Sequence, residues 1–210
     1  MATCIIFCAG EFDGLATPIA ETDRVIAADG GFAHTQALNL QPDAVLGDFD
    51  SLGYVPENAR VFPVEKDDTD AMLAARMGLE MGCNRFLFYG ALEGKRLDHT
   101  VANFQTLQFV ADNGAIGYLI GKEQVVTLVK NGALRFPQAT GIVSVFCMGA
   151  DAKGVTLTGL KYPLENGTLT AGFPLGVSNR FTDAPAAITV ENGSLLVIFD
   201  RTNTFPEEIL

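Results

Sequence analysis

The pattern of apolar residues changes partway along this chain of 210 residues, and that change limits the possible folds. Up to about residue 120, short apolar runs alternate with segments of helical periodicity, which is typical of a parallel sheet covered by helices. The predicted strands are Cys4–Cys8, Val25–Ala28, Ala44–Leu46, Phe86–Tyr89 and Ile116–Ile120. The predicted helices are Phe32–Leu38, Asp70–Met81 and Asp98–Asp112. We therefore expect the chain to begin with an α/β domain.

From Gln124 onward the helical periodicity disappears, and strand-like segments are separated by glycine-containing turns. The strands predicted there are Val125–Val129, Ile142–Cys147, Val155–Leu157, Ile188–Val190 and Leu195–Phe199. The pairs Asn166-Gly167 and Asn192-Gly193 are interpreted as turns. This pattern favours an all-β sandwich or barrel. Because no low-complexity linker separates the halves, we expect two domains, residues 1–121 and 122–210, that meet at a tight junction.

Composition and charge exclude several classes of partner. The formal charge is −11 without any basic run, which argues against binding to nucleic acid or to anionic membranes. The start of the chain has no basic segment before its short apolar run, so we expect neither a secretory signal nor a membrane span. The four cysteines lack CxxC spacing and are interpreted as reduced core residues. The sequence therefore predicts a cytoplasmic protein.

Acidic residues follow two predicted strands at the point where each strand ends. Asp29 comes directly after one strand, and Asp48 and Asp50 follow the next. Open α/β sheets bind ligands at this edge. In an extended segment, residues two apart point to the same side, so we expect both acids to face one centre while Phe49 turns into the core. Carboxylates without histidine or cysteine suit Mg²⁺ that bridges substrate phosphates, and turn or cap roles are the alternative.

A third acidic segment, Lys66-Asp67-Asp68-Thr69-Asp70, precedes a predicted helix. Asp68 or Thr69 is suited to the helix N-cap, where a side-chain oxygen accepts a hydrogen bond from the first turn. That role accounts for only one of these residues. The segment would therefore also add a carboxylate to the metal cluster, with Lys66 as a cation for a phosphate.

The segment Gly90–Thr100 follows a predicted strand and begins the next helix. It is not a Walker loop, because the glycine spacing is one residue short and Arg96 stands where a metal-binding hydroxyl is needed. A glycine-containing turn before a helix still favours anions. Arg96, beside Lys95, can bind a phosphate through two N–H groups, and Asp98 can cap the helix or accept from a nucleotide. His99 is either a catalytic base or a structural residue.

Together these motifs resemble those of bacterial-type thiamine pyrophosphokinases, in the same order along nearly the whole chain. The motifs are Ala28–Gly31 (ADGG), Gly47–Ser51 (GDFDS), Lys66–Asp70 (KDDTD), Gly94–Thr100 (GKRLDHT), Gly159–Leu164 (GLKYPL) and Gly176–Asn179 (GVSN). The resemblance implies an N-terminal α/β domain, a C-terminal β-sandwich domain and a homodimer. It also implies transfer of diphosphate from ATP to the hydroxyl of thiamine, which leaves AMP.

The resemblance further implies roles for single residues. The implied ligands of Mg²⁺ and the triphosphate are Asp29, Asp48, Asp50 and Asp70, of which the last three are the catalytic acids. The implied nucleotide-binding residues are Lys66, Thr69, Arg96, Asp98 and His99. Ser178 and Asn179 would line a thiamine site formed between subunits. Because the chain has no tryptophan, an aromatic surface for thiamine would come from Tyr162, Phe173 or Phe181.

Two other kinds of function stay open. A pterin-alcohol diphosphokinase of similar layout would transfer the same group to another heteroaromatic alcohol. A nucleotide-binding regulator, or a phosphatase built on the Asp48-x-Asp50 pair, would use the acids differently, since such a phosphatase makes one aspartate a covalent nucleophile.

Overall fold

The computed structural model describes residues 2–50, 52–63, 65, 67–94 and 96–209, and the chain divides into two compact units. One unit comprises the residues up to Val110 together with Ala115–Lys122, and the other comprises Ala111–Gly114 and the chain from Glu123 onward. The domain limits 1–121 and 122–210 remain a proposal. Within the described ranges, no helix is long and apolar enough to cross a membrane.

A parallel sheet forms the centre of the N-terminal unit. Its strands are β1 (Thr3–Phe7), β2 (Arg24–Ala28), β3 (Ala44–Gly47), β4 (Arg60–Val61), β5 (Arg85–Tyr89) and β6 (Ile116–Ile120). They lie in the order β6-β5-β1-β2-β3-β4, and each neighbouring pair is parallel. Strands β1, β5 and β6 are buried almost throughout, which explains their continuous apolar sequences. The predicted parallel sheet is confirmed, and only the two-residue strand β4 was too short to show a pattern.

The described part of this unit contains three helices, α1 (Gly31–Ala37), α2 (Asp70–Glu80) and α3 (Leu97–Asp112), with ends within one residue of those predicted. Thr69 is the N-cap of α2, since its Oγ1 accepts a hydrogen bond from the Met72 N–H at 3.2 Å. At the start of α1, a Cβ on Gly31 would lie 1.9 Å from the Phe7 carbonyl oxygen. Only glycine therefore allows α1 to begin so close to the end of β1.

The C-terminal unit consists of two antiparallel layers. Its strands are β7 (Gln124–Lys130), β8 (Ala133–Phe136), β9 (Ile142–Cys147), β10 (Ala152–Thr158), β11 (Leu164–Leu169), β12 (Gly176–Arg180), β13 (Ala186–Thr189), β14 (Ser194–Asp200) and β15 (Glu207–Ile209). One layer has the order β12-β9-β14-β7, and the other has the order β11-β10-β13-β8-β15. Phe136 of β8 meets Phe199 of β14 at 5.3 Å between ring centroids. The predicted sandwich is therefore confirmed.

The two Asn-Gly pairs differ in structure. Asn192-Gly193 connects β13 to β14 as predicted, whereas Asn166-Gly167 lies inside β11, so the turn interpretation was wrong there. Asn166 has a φ of +46°, and the register between β10 and β11 shifts on both sides of the pair Val155 and Gly167. A left-handed residue beside a register shift is a bulge, and a bulge and a turn have the same local sequence signal. Strands β8, β11, β12 and β15 were also not predicted.

Candidate functional site

A cavity of about 980 Å³ opens at the carboxyl ends of the N-terminal sheet, where the sequence predicted a ligand site. The predicted site residues that line it are Asp29, Asp48, Asp50, Thr69, Asp70, Arg96 and His99. Asp98 does not line it, and Lys66 lies outside the described residues. The cavity therefore brings together most of the acidic and basic residues singled out from the sequence.

Three carboxylates converge at the base of this cavity. Ligand oxygens of Asp29, Asp48 and Asp50 all lie within 4.8 Å of one another. Asp29 is 7% exposed, and its Oδ1 has no hydrogen-bond partner among the residues that the structure describes. An unpaired buried carboxylate oxygen is costly, and so is repulsion between adjacent carboxylates. A hard divalent cation relieves both, so this set of oxygen ligands fits Mg²⁺.

The backbone that carries these acids is left-handed at two positions. Asp29 has a φ of +49° and Phe49 a φ of +62°, which costs an L-residue about 1–2 kcal/mol. Strand β3 ends at Gly47, so the prediction that extended backbone aligns Asp48 with Asp50 was wrong. The two acids nevertheless face one centre as expected, because Phe49 between them turns into the core and packs against Ala27 and Val45. Strain of this kind is concentrated at functional sites.

The loop before α2 is fixed by an ion pair that the sequence did not reveal. Asp68 lines the cavity and accepts from Arg76, with Nε to Oδ2 at 3.0 Å and a second, longer contact at 3.5 Å. The Arg76 guanidinium also lies 4.6 Å from the Phe109 ring centroid. Asp68 precedes the N-cap of α2 and Arg76 lies eight residues further along, inside the helix, so the usual helical spacing of three or four residues does not find the pair.

Arg96 pairs with Asp98 in a bidentate contact, with distances of 2.6 Å and 3.3 Å. This hydrogen bonding raises the pKa of the Arg96 guanidinium and lowers the pKa of the Asp98 carboxyl group. The side chains are 67% and 64% exposed, so the pair contributes little to stability. Arg96 can therefore exchange Asp98 for a phosphate at small cost, while His99 lies exposed at the same wall of the cavity.

Cys8 lines the cavity beside the acids but is not a nucleophile. Burial raises the pKa of its thiol to about 12, and the carboxylates of Asp70 and Asp29 contribute to the rise. A thiol with that pKa is almost entirely protonated at neutral pH. All four cysteines are free, and Cys4, Cys8 and Cys83 are buried, so the interpretation as core residues is confirmed for these three. Cys147 is only half-buried, so the interpretation was wrong there.

The predicted thiamine residues lie on strand β12 of the C-terminal unit. Asn179 is 3% exposed, its Oδ1 accepts from the Tyr162 and Arg180 N–H groups at 3.0 Å and 2.9 Å, and its Nδ2 donates to the Tyr162 carbonyl at 2.7 Å. Ser178 is exposed, with a φ of +58°. The role of these two residues in binding thiamine stays a prediction.

Of the three aromatic candidates, two are accessible. Tyr162 is 58% exposed and Phe173 is 65% exposed. Phe181 is 9% exposed and packs against Phe136 with ring centroids 5.0 Å apart, so it belongs to the core of its unit. An aromatic surface for a ligand can therefore come from Tyr162 or Phe173.

Two models of one protein family match this chain, and so does a curated relative. Family models described as thiamin pyrophosphokinase, catalytic domain, and thiamin pyrophosphokinase, vitamin B1 binding domain, match residues 15–118 and 133–197. The thiamine pyrophosphokinase of Bacillus subtilis is 28% identical over an alignment of 186 residues, and the match covers 82% of this chain and 85% of that protein.

Solved structures give the same result. The crystal structure of the Bacillus subtilis thiamine pyrophosphokinase has a TM-score of 0.80 at 25% identity and covers 94% of this chain and 98% of that one. The thiamin pyrophosphokinase from Geobacillus thermodenitrificans has a TM-score of 0.77 at 25% identity, with 94% and 96% covered. The enzyme from Candida albicans, at 14% identity and a TM-score of 0.72, shows the same fold.

Proposed function

Because the chain belongs to the thiamin pyrophosphokinase family and forms thiamine diphosphate from thiamine and ATP, we propose that its N-terminal cavity binds the ATP triphosphate through Mg²⁺. The observation that carries this proposal is the buried, unpaired Oδ1 of Asp29 within 4.8 Å of Asp48 and Asp50. The two family models favour thiamine over a pterin alcohol, and an enzyme over a regulator or a phosphatase.

The metal ligands in this proposal are Asp29, Asp48, Asp50 and Asp70. When bound, Mg²⁺ would neutralise charge on the triphosphate and on the leaving AMP. The left-handed backbone at Asp29 and Phe49 presets the carboxylates, so little reorganisation is needed as charge develops. Asp70 approaches from the first turn of α2, and it lines the same cavity.

In this proposal, residues at the starts of α2 and α3 bind the nucleotide. Arg96 releases Asp98 and binds the transferred diphosphate with two N–H groups. Thr69 Oγ1 accepts from Met72 N–H as the N-cap, which leaves its own proton able to donate to a phosphate oxygen. His99 lies at the exposed wall, and Lys66 would add a second cation.

Thiamine, the acceptor of the diphosphate, would bind to the C-terminal unit. Ser178 and Asn179 would line the thiamine site of a homodimer. Asn179 would also hold the backbone of Tyr162 in place. Two observations support dimerisation: β12 is the outer strand of its layer, and the neighbouring Phe173, Leu175 and Val177 are 65%, 55% and 49% exposed. A cytoplasmic location is also proposed, on the four free cysteines.

Chromatographic analysis of the products tests this function. The purified protein is incubated with ATP, Mg²⁺ and thiamine, and we expect AMP and thiamine diphosphate in equal amounts without ADP. Stoichiometric ADP would indicate a monophosphate kinase, and phosphate release without thiamine a phosphatase. If AMP forms only when a pterin alcohol is supplied, that alcohol and not thiamine is the acceptor.

A further inference from the structure

Two side chains of helix α3 are bonded to the turn that follows strand β5. Asn103 donates from Nδ2 to the carbonyl oxygen of Ala91 at 2.6 Å. Thr100 donates from Oγ1 to the carbonyl oxygen of Leu92 at 3.2 Å. Asn103 is 7% exposed, and both side chains lie in the wall of the cavity. Neither was singled out from the sequence, because nothing in a helical pattern marks a bond to a preceding loop.

The same turn is fixed at both ends by bonds to other segments. The Gly90 carbonyl accepts from the Gly10 N–H at 2.9 Å, and Glu93 Oε1 accepts from the Lys122 N–H at 3.1 Å. Each residue from 90 to 93 is therefore bonded outside the turn. A loop with this many bonds has few alternative conformations.

These bonds set the direction of the peptide groups in the turn. A peptide bond is planar and trans, so fixing a carbonyl also fixes the N–H of the next residue on the opposite side. Asn103 thus determines the orientation of the Leu92 N–H, and Thr100 determines that of the Glu93 N–H. In the sequence, Arg96 stands two residues after Gly94 and directly before Leu97, the first residue of α3.

We propose that Thr100 and Asn103 are positioning residues that orient the 90–94 turn, and through it Arg96, for binding of the triphosphate. This inference rests on the proposal that the cavity binds ATP. Misplacement of a binding group by about 1 Å costs up to a hundredfold in rate, so two hydrogen bonds behind the turn are sufficient to matter.

Helix α3 offers a matched control for Thr100. Thr106 also donates from Oγ1 to a carbonyl oxygen at 3.2 Å, but its acceptor is Ala102 in the same helix. Thr106 is 1% exposed and does not line the cavity. Thr100→Val and Thr106→Val make the same chemical change at the same hydrogen-bond distance, while Thr100→Ser keeps the hydroxyl group.

Two measurements on the full-length protein test the inference. Hydrogen–deuterium exchange without nucleotide measures how rigid the backbone of the segment 90–96 is. Steady-state kinetics give KM for ATP and for thiamine. For Thr100→Val we expect faster exchange in this segment and an ATP KM at least fivefold higher, with the thiamine KM within twofold. Thr100→Ser and Thr106→Val should match the wild type in both measurements, whatever their Tm.

A double-mutant cycle with Arg96→Ala separates positioning from direct contact. If Thr100 acts through the turn, its effect on the ATP KM falls below twofold in the Arg96→Ala background. Independent, multiplicative effects would overturn the inference, and so would equal behaviour of Thr100→Val and Thr106→Val.

Failure of the inference and failure of the proposed nucleotide site give different results. If Thr100→Val leaves the ATP KM unchanged while Arg96→Ala weakens ATP binding, the positioning role is wrong and the site stands. If neither substitution affects ATP, the nucleotide binds elsewhere, and both proposals are wrong.

Discussion

Asp29 in the N-terminal unit and Asn179 in the C-terminal unit are both buried, at 7% and 3% exposed, but they are bonded differently. Asn179 makes three hydrogen bonds within its own unit, two of them to the backbone of Tyr162. Asp29 has a φ of +49°, and its Oδ1 lacks a partner in the described part of the chain. Most buried polar groups in folded proteins are paired. We therefore propose that Asp29 binds a ligand, whereas the hydrogen bonds of Asn179 support the segment around Tyr162.

The largest expected effect is on catalysis by the acidic cluster. Replacing Asp48 or Asp50 with Asn should lower kcat by about a thousandfold, about 4 kcal/mol in the barrier, because each change removes a charge from the proposed metal site. The Tm should not fall, since neither side chain is packed in the core. Asp183→Asn, an exposed position in the other unit, controls for the change in net charge. Retention of more than about a tenth of the activity by either variant would contradict direct metal binding.

In the C-terminal unit, Asn179→Ala should mainly lower the stability of the fold. It removes three hydrogen bonds and leaves the Tyr162 backbone groups without partners, so we expect a loss of about 2–3 kcal/mol in the free energy of unfolding. The neighbouring Ser178→Ala should change that energy by less than about 0.5 kcal/mol. Urea unfolding of both variants measures the difference. Equal, small losses would show that Asn179 is not a structural residue.

Arg96→Ala tests whether the nucleotide binds to the N-terminal unit. Losing a bidentate phosphate contact should weaken ATP binding about thirtyfold, about 2 kcal/mol, with little change for thiamine. Because the Arg96–Asp98 pair is exposed, the Tm should stay constant. Calorimetric titration of each ligand decides the question, and equal losses for both ligands would make Arg96 a structural residue.

The smallest effect concerns Cys8, beneath the acids. Its folded pKa of about 12 lies above the ordinary value of 9.0, so its contribution to stability is complete below pH 9 and is lost as pH rises toward 12. Between pH 8 and pH 10 the wild type should lose about 1.4 kcal/mol more stability than Cys8→Ala. Urea unfolding at the two pH values gives this difference. Identical losses would mean that Cys8 ionises as easily in the folded protein as in the unfolded chain.

Much of the N-terminal unit was predictable because its signals are local. Strands such as β1 and β5 are short apolar runs, and each acid follows a strand end, so the sheet edge brings the acids together. The left-handed backbone at Phe49 was not predictable, since the packing of its ring against Ala27 and Val45 stabilises a conformation that the local sequence disfavours.

The C-terminal unit was predicted less completely because its signals are ambiguous. Strand β11 reads Leu-Glu-Asn-Gly-Thr-Leu, in which Asn-Gly has the sequence of a turn but forms a bulge against β10. The bonds of Asn179, Thr100 and Asn103 were also not predictable. Each joins a side chain to the backbone of a different segment, and no periodicity encodes such a contact.

Binding of Mn²⁺, a paramagnetic substitute for Mg²⁺, tests the central claim without depending on turnover. Electron paramagnetic resonance follows the titration of Mn²⁺ into the protein in the presence of a non-hydrolysable ATP analogue. We predict that Asp29→Asn weakens Mn²⁺ binding at least tenfold, about 1.4 kcal/mol, while Asp183→Asn leaves it unchanged. Unchanged Mn²⁺ affinity in Asp29→Asn would contradict the assignment of the buried carboxylate to the metal.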